Sequence, residues 1–200
     1  MDPRFCDENV RAILRVADRL GVFVRVDMED SSCTTDTLEL YKAWNRDFPK
    51  TGIVLQAYLK RTEADVAALP RATNYRLVKG IYREPAEIAL QGREEVQQNF
   101  LGLLRQMFEG GSYVGIATHD EVLVDGSLKI VQELGLPRDR YEFQMLLGVL
   151  PELRRRILSQ GHKLRVYVPF GASWYGYSTR RFKENPTVAG YVFRALFHRG

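Results

Sequence analysis

At 200 residues, with 45% apolar and 27% charged content, the chain suits one α/β-sized domain with a sizeable core. Its net charge of +4 comes from scattered basic residues, which read as a solvated surface and not as a nucleic-acid footprint. Cys6 and Cys33 have neither disulfide nor metal-ligand spacing, no apolar run is long enough to span a bilayer, and no charged-then-apolar leader opens the sequence, so a reducing, cytoplasmic setting is expected.

Residues 7–20 read as a helix, because Val10, Ile13, Leu14, Ala17 and Leu20 recur at helical spacing and Gly21 suits the exit. A strand is predicted at 22–28, then a helix over 34–47 with Leu38, Leu40, Tyr41 and Trp44 on its apolar side. The strand at 53–59 leads into a short helix at 63–69, capped by Thr62 and stopped by Pro70. A strand at 75–82 precedes a long helix over 85–109, in which Pro85 takes a first-turn position that needs no N–H. Gly110 and Gly111 end it. There follow a strand at 113–118, a helix at 121–134 closed by Gly135, and a strand at 141–147. Pro151 opens the next helix and Gly161 closes it; the last strand is 164–169, with helices near 174–183 and after Pro186.

Strands alternating with helices imply a parallel sheet with right-handed crossovers. Nearly every strand ends in polar residues: VRVDMED, VLQAY, RLVKGIY, GIATHD and RVYVPFG. In an open sheet the site gathers at one switch point, whereas a barrel collects chemistry from the carboxyl ends of many strands. No Gly-rich phosphate fingerprint follows an early strand, so the barrel is the favoured closure.

Several side chains stand where chemistry would be done. Tyr177, Arg180 and Arg181 share a face if 174–183 is helical, and two guanidiniums with a phenol suit a planar carboxylate. The competing reading is a surface helix with solvated arginines. Glu184 lies near enough along the chain to pair with either arginine. Asp27 follows the apolar run Val22, Val24, Val26, so it is expected to be buried and paired, either capping the following turn or holding a structural arginine, or else orienting a substrate or another site residue. Arg76 and Lys79 have opposite parity, while Val78 and Gly80 share the side of Arg76. Gly80 would admit another backbone or a flat ligand. Lys79 is either a cation beside a redox ring or a desolvated Schiff-base nucleophile of a barrel lyase. Gln56 offers an amide to a ligand ring edge or is a satisfied core amide. His119, after Thr118, is a strand-end histidine whose structural role is the simpler reading. Tyr167 shares its parity with Arg165 and Pro169 and faces a barrel lumen on that reading. No metal pattern, nucleophile elbow or Walker loop is present.

Taken in order, VRVDMEDS, VLQAYL, RLVKGIY, GIATHD, EFQMLLGV, RVYVPFG and YxxRR resemble the proline dehydrogenase family, in its monofunctional bacterial form or as the equivalent domain of a bifunctional enzyme. The resemblance covers essentially all of residues 1–200 as one catalytic domain. It implies a distorted (β/α)8, TIM-type barrel holding FAD at the carboxyl ends of its strands, with about six of the eight units in this chain. It also implies oxidation of L-proline to 1-pyrroline-5-carboxylate, with hydride passing from ring carbon C5 to flavin N5 and electrons passing on to a quinone. Transient contact with the inner membrane and a partnership with a pyrroline-5-carboxylate dehydrogenase go with that activity. Carried over by position, Arg180 and Arg181 would hold the proline carboxylate, with Tyr177 and Tyr167 shaping the pocket and Tyr82 and Leu146 against the substrate ring. Asp27 would support the constellation and Arg76 would lie close to flavin N5. Met28, Gln56, Val78, Lys79, Gly80, Thr118, His119 and Glu184 fall where the family contacts FAD. The family has two further strands before RVDMED, the second region bearing a lysine for the carboxylate, so a truncated chain is expected; a cofactor-free remnant is the alternative.

Overall fold

In the computed structural model, residues 2–168 and 171–172 are described. Strands and helices alternate as α1 (Pro3–Arg19), β1 (Val24–Val26), α2 (Ser31–Asp47), β2 (Thr51–Gln56), α3 (Thr62–Ala68), β3 (Asn74–Val78), α4 (Arg93–Glu109), β4 (Tyr113–Ala117), α5 (Glu121–Glu133), β5 (Tyr141–Leu146), α6 (Pro151–Ser159) and β6 (Leu164–Tyr167). The strands are parallel and follow chain order, as expected for the βα succession of a TIM-type fold. Two compact units divide within β4, one up to Val114 and one from Gly115. The helices expected near 174–183 and after Pro186 lie outside the described residues.

In the first unit β1, β2 and β3 run side by side, with Val26 beside Ile53 and Val54 beside Arg76. Thr51 to Gln56 are buried throughout, which is why this stretch reads as an unbroken apolar run. β3 alternates instead: Tyr75 and Leu77 are buried, while Asn74, Arg76 and Val78 are half-buried on the other face. The buried face packs with Leu38, Tyr41 and Trp44 of α2 and Phe100, Leu103, Leu104 and Met107 of α4 to form the core. Each such large side chain contributes roughly 1.5–3 kcal/mol on burial. In the second unit β5 and β6 pair, and Tyr141, Phe143, Met145, Leu153 and Ile157 are buried.

Local chemistry sets most ends. Asp2 caps α1, its carboxylate accepting from the Arg4 N–H at 2.9 Å, and Pro3 occupies the first turn. Asp30 and Asp120 do the same for α2 and α5 through the N–H groups of Ser32 and Val122, at 3.0 and 3.2 Å. α3 departs from expectation, because Thr62 is its first residue and not its cap; the hydroxyl donates to the Gln56 carbonyl at 2.7 Å.

Three other expectations are corrected. α4 begins at Arg93, not near Pro85. Residues 85–90 spend their backbone groups on the turn after β2, with Lys60 N–H donating to Ile88 and Leu90 N–H to Tyr58. A helix there would forgo both bonds. β3 stops at Val78, because Gly80 turns the chain at φ +116°. In α1, Leu14 and Ala17 are buried but Ile13 and Leu20 are 60% and 72% exposed, so only one side of the predicted apolar set meets the core.

Candidate active site

Every described candidate but Arg76, which lies in the middle of β3, stands at or just beyond the carboxyl end of a strand, or in the loop that follows it. In the first unit, Asp27 leaves β1 and its Oδ1 accepts from Arg76 Nη2 at 2.5 Å and from the Met28 N–H at 3.1 Å. The expected burial is corrected: the Asp27 side chain is 57% exposed and Arg76 is the more buried partner at 14%. β1 contributes only three residues to the sheet, so its end sits at the surface. The guanidinium comes from the middle of β3 on the face shared with Val78.

Gln56, at 3% exposure, ends β2 beside Val78 and donates its amide to the Glu29 carbonyl at 2.8 Å. Met28 is buried at 6%. Tyr82 donates a short hydrogen bond to the Glu29 carboxylate. Glu84 accepts from the Ser31 N–H and from its hydroxyl, both at 2.8 Å. Thus β3 and the segment after it are strapped to the segment after β1 and the start of α2 by Arg76–Asp27, Tyr82–Glu29 and Glu84–Ser31. Gly80 does admit a flat group at close range, and that group is the Tyr58 ring: a Cβ on Gly80 would lie 2.1 Å from Tyr58 Cδ1. Burial pushes the Tyr58 phenol up to about 12, aided by the negative charges of Glu84 and Asp30, so it stays protonated. Lys79 lies past the strand, its carbonyl accepting from the Tyr58 N–H at 2.8 Å.

In the second unit, Thr118 is buried at 5% and its hydroxyl accepts from the Asp120 N–H at 3.1 Å. His119 Nε2 accepts from the Leu146 N–H at 2.9 Å. That bond uses the lone pair on Nε2. Leu146 and Tyr167 are register partners on β5 and β6, which brings an expected substrate-ring contact beside an expected pocket-shaping tyrosine. Tyr177, Arg180, Arg181 and Glu184 lie outside the described residues.

Sequence reasoning gave Glu29 only a solvated or capping role, and it missed Glu84, Tyr58 and the pair in which the Glu142 carboxylate of β5 accepts from Arg165 of β6. Each gains its role from a partner far along the chain, and no local spacing signals it. Among the described residues no cluster of His, Cys, Asp or Glu suits a metal ion, and no helix is long and apolar enough to cross a membrane.

Helices alternating with parallel strands whose carboxyl ends carry cations, carboxylates and amides define a TIM-type β/α enzyme scaffold. The model of the proline dehydrogenase family matches residues 5–194, and the chain belongs to that family. It is 35% identical over 190 residues to proline dehydrogenase 2 of Bacillus subtilis (strain 168), covering 94% of this chain and 63% of that protein. It is 38% identical over 191 residues to proline dehydrogenase of Deinococcus radiodurans, covering 94% and 62%. The chain therefore spans under two thirds of the length of these curated relatives. Among solved structures, proline utilization A (PutA) from Bdellovibrio bacteriovorus inactivated by N-propargylglycine matches with a TM-score of 0.78 and 27% identity, covering 84% of this chain and 20% of that one. A proline utilization A with proline bound in remote sites shares the fold, with a TM-score of 0.80 at 22% identity over 96% of this chain and 22% of that one.

Proposed function

We propose that this chain carries most of the catalytic barrel of an FAD-dependent enzyme that oxidises L-proline to 1-pyrroline-5-carboxylate. The observation that carries the reading is the half-buried Arg76 guanidinium held by Asp27 at a strand end, in a chain matched to the family over residues 5–194. The donor set suits FAD. A flavin ring and its pyrophosphate are rich in acceptors, and the ring gains negative charge on reduction. In the first unit Arg76, Lys79 and Gln56 bring cations and N–H groups, with Met28 and Val78 supplying apolar surface, and in the second unit Thr118 and His119 bring O–H and N–H groups. Gly80 fits less directly, since its open side is filled by Tyr58.

FAD, when bound, supplies the hydride acceptor and the route of electrons to a quinone. The chain supplies position. Asp27 fixes Arg76 in one orientation, and a fixed cation costs no reorganisation at the moment of reaction. Leu146 and Tyr167 present a joined apolar and aromatic surface to a small ring. Arg180 and Arg181, with Tyr177, are assigned the substrate carboxylate, a two-point clamp of the kind that turns binding energy into orientation. Glu184 is assigned to the cofactor. By the same reading, a pyrroline-5-carboxylate dehydrogenase consumes the product, and the enzyme works in the cytoplasm in transient contact with the inner membrane. Family membership favours oxidation over a Schiff-base lyase at Lys79.

The test is optical. Purified protein reconstituted with FAD is expected to show a flavin spectrum that bleaches anaerobically on adding L-proline. A bound flavin that L-proline leaves oxidised, or a borohydride-trapped adduct on Lys79, overturns the reading.

A further inference from the structure

Glu142 is a charged side chain in β5 of the second unit that the proposed reaction does not use. It is 5% exposed, in a strand buried along nearly its whole length. Its carboxylate receives Arg165 Nε at 2.5 Å and Nη2 at 2.9 Å, one on each oxygen, and Oε1 also takes Gln144 Nε2 at 2.7 Å. A carboxylate withdrawn from water to this degree is tolerated only when paired and hydrogen-bonded. The fold makes room for the arrangement: a Cβ on Gly115 would lie 2.5 Å from Gln144 Nε2.

The position of this clamp is what matters. Gln144 is the register partner of Arg165, and Leu146 of Tyr167. Strand side chains repeat every two residues, so Glu142, Gln144 and Leu146 share a face with Arg165 and Tyr167. The ion pair therefore lies directly along the same face from the Leu146–Tyr167 pair. β6 is only four residues long, and its ladder offers few bonds to specify register. A slip of one residue would turn Tyr167 to the other face, and a slip of two would carry it roughly 7 Å along the strand. A bidentate arginine–carboxylate fork has one good geometry, so it penalises both slips. At the strand end the correct register is marked by the Leu147 N–H donating to the Tyr167 carbonyl at 3.0 Å.

We infer that Glu142 is a positioning residue for the substrate pocket: through Arg165 and Gln144 it sets the register of β6 and so places Tyr167 beside Leu146. The inference rests on the reading that Leu146 meets the proline ring and Tyr167 shapes its pocket. Two measurements on the FAD-loaded protein test it in Glu142→Gln, with Glu142→Asp as the conservative variant. Hydrogen exchange of the Leu147 amide is expected to accelerate roughly tenfold in Glu142→Gln. The KM for L-proline is expected to rise roughly fivefold or more with kcat within about twofold, and Glu142→Asp to recover part of both. Faster exchange with an unchanged KM would show a structural ion pair only and overturn the inference, as would wild-type exchange. Should Glu142→Gln not fold, Arg165→Lys, which keeps the charge but not the fork, carries the same comparison. Absence of proline turnover in the wild-type protein overturns the proline reading itself and the pocket role with it, while the exchange result still separately judges the clamp.

Discussion

Gly80→Ala tests whether the turn that carries Tyr82 away from β3 is built on a close approach. Gly80 sits at φ +116°, a conformation that residues with a Cβ rarely adopt, and holding alanine there costs about 1–3 kcal/mol. The added Cβ would lie 2.1, 2.4 and 2.6 Å from Cδ1, Cε1 and Cγ of Tyr58. Ordinary carbon contacts are about 3.5–4.0 Å, so the ring must move by more than ~1 Å. Tyr58 is buried with Leu59 and Ala89, and Val96 packs against them, so such a shift costs about 1–3 kcal/mol of overpacking. Together the two effects predict a loss of roughly 2–6 kcal/mol in urea-induced unfolding followed by circular dichroism. A second background separates them. In Tyr58→Ala the ring is gone, so Gly80→Ala should cost only the backbone part, about 1–3 kcal/mol. A loss below ~0.5 kcal/mol in the wild-type background, or the same loss in both backgrounds, would refute the reasoning.

Further outcomes follow from the same geometry. Gly52→Ala would put a Cβ 2.7 Å from the Asn74 carbonyl and 2.5 Å from Arg25 Nη1, so thermal unfolding should show a loss of about 1–3 kcal/mol; an unchanged Tm would contradict the packing of β1 to β3. Asp27→Asn should change stability by less than ~1 kcal/mol, because the carboxylate is 57% exposed, yet slow flavin reduction by proline roughly tenfold. Unaltered reduction kinetics would remove Asp27 from the site. His162 is held below its ordinary value of 6.5, first by burial and then by Arg138, and its Nδ1 pairs with the Tyr141 hydroxyl at 2.7 Å. The unfolded chain takes up the proton more readily than the fold does, so this contribution is present above about pH 6.5 and lost as pH falls below it. A Tm-versus-pH series should therefore lose its acid-side slope there in His162→Gln; an identical slope would reject the assignment.

The strands were legible because buried parallel strands are apolar along their length, as Ile53, Val54 and Leu55 show at 0–2% exposure. The strand-end residues were legible for the same reason, since polarity returns only where the sheet stops. Pro85 misled, because the signal for a helix start is local, and the bonds from Lys60 and Leu90 that hold 85–90 as a turn are not. α1 misled in a related way. Its apolar residues occupy two sides, and tertiary packing buries Leu14 and Ala17 while leaving Ile13 and Leu20 exposed.

By itself the chain determined the alternation of strand and helix and the family its motifs resemble, though not where β3 stops, since both rest on spacings of a few positions. The tertiary structure alone decided the partnerships: Arg76 for Asp27, Tyr58 for Gly80, Leu146 for His119 and Arg165 for Glu142. The physical reason is register. A period of 2 or 3.6 says which way a side chain points, but which distant side chain stands opposite depends on how neighbouring strands slide against each other.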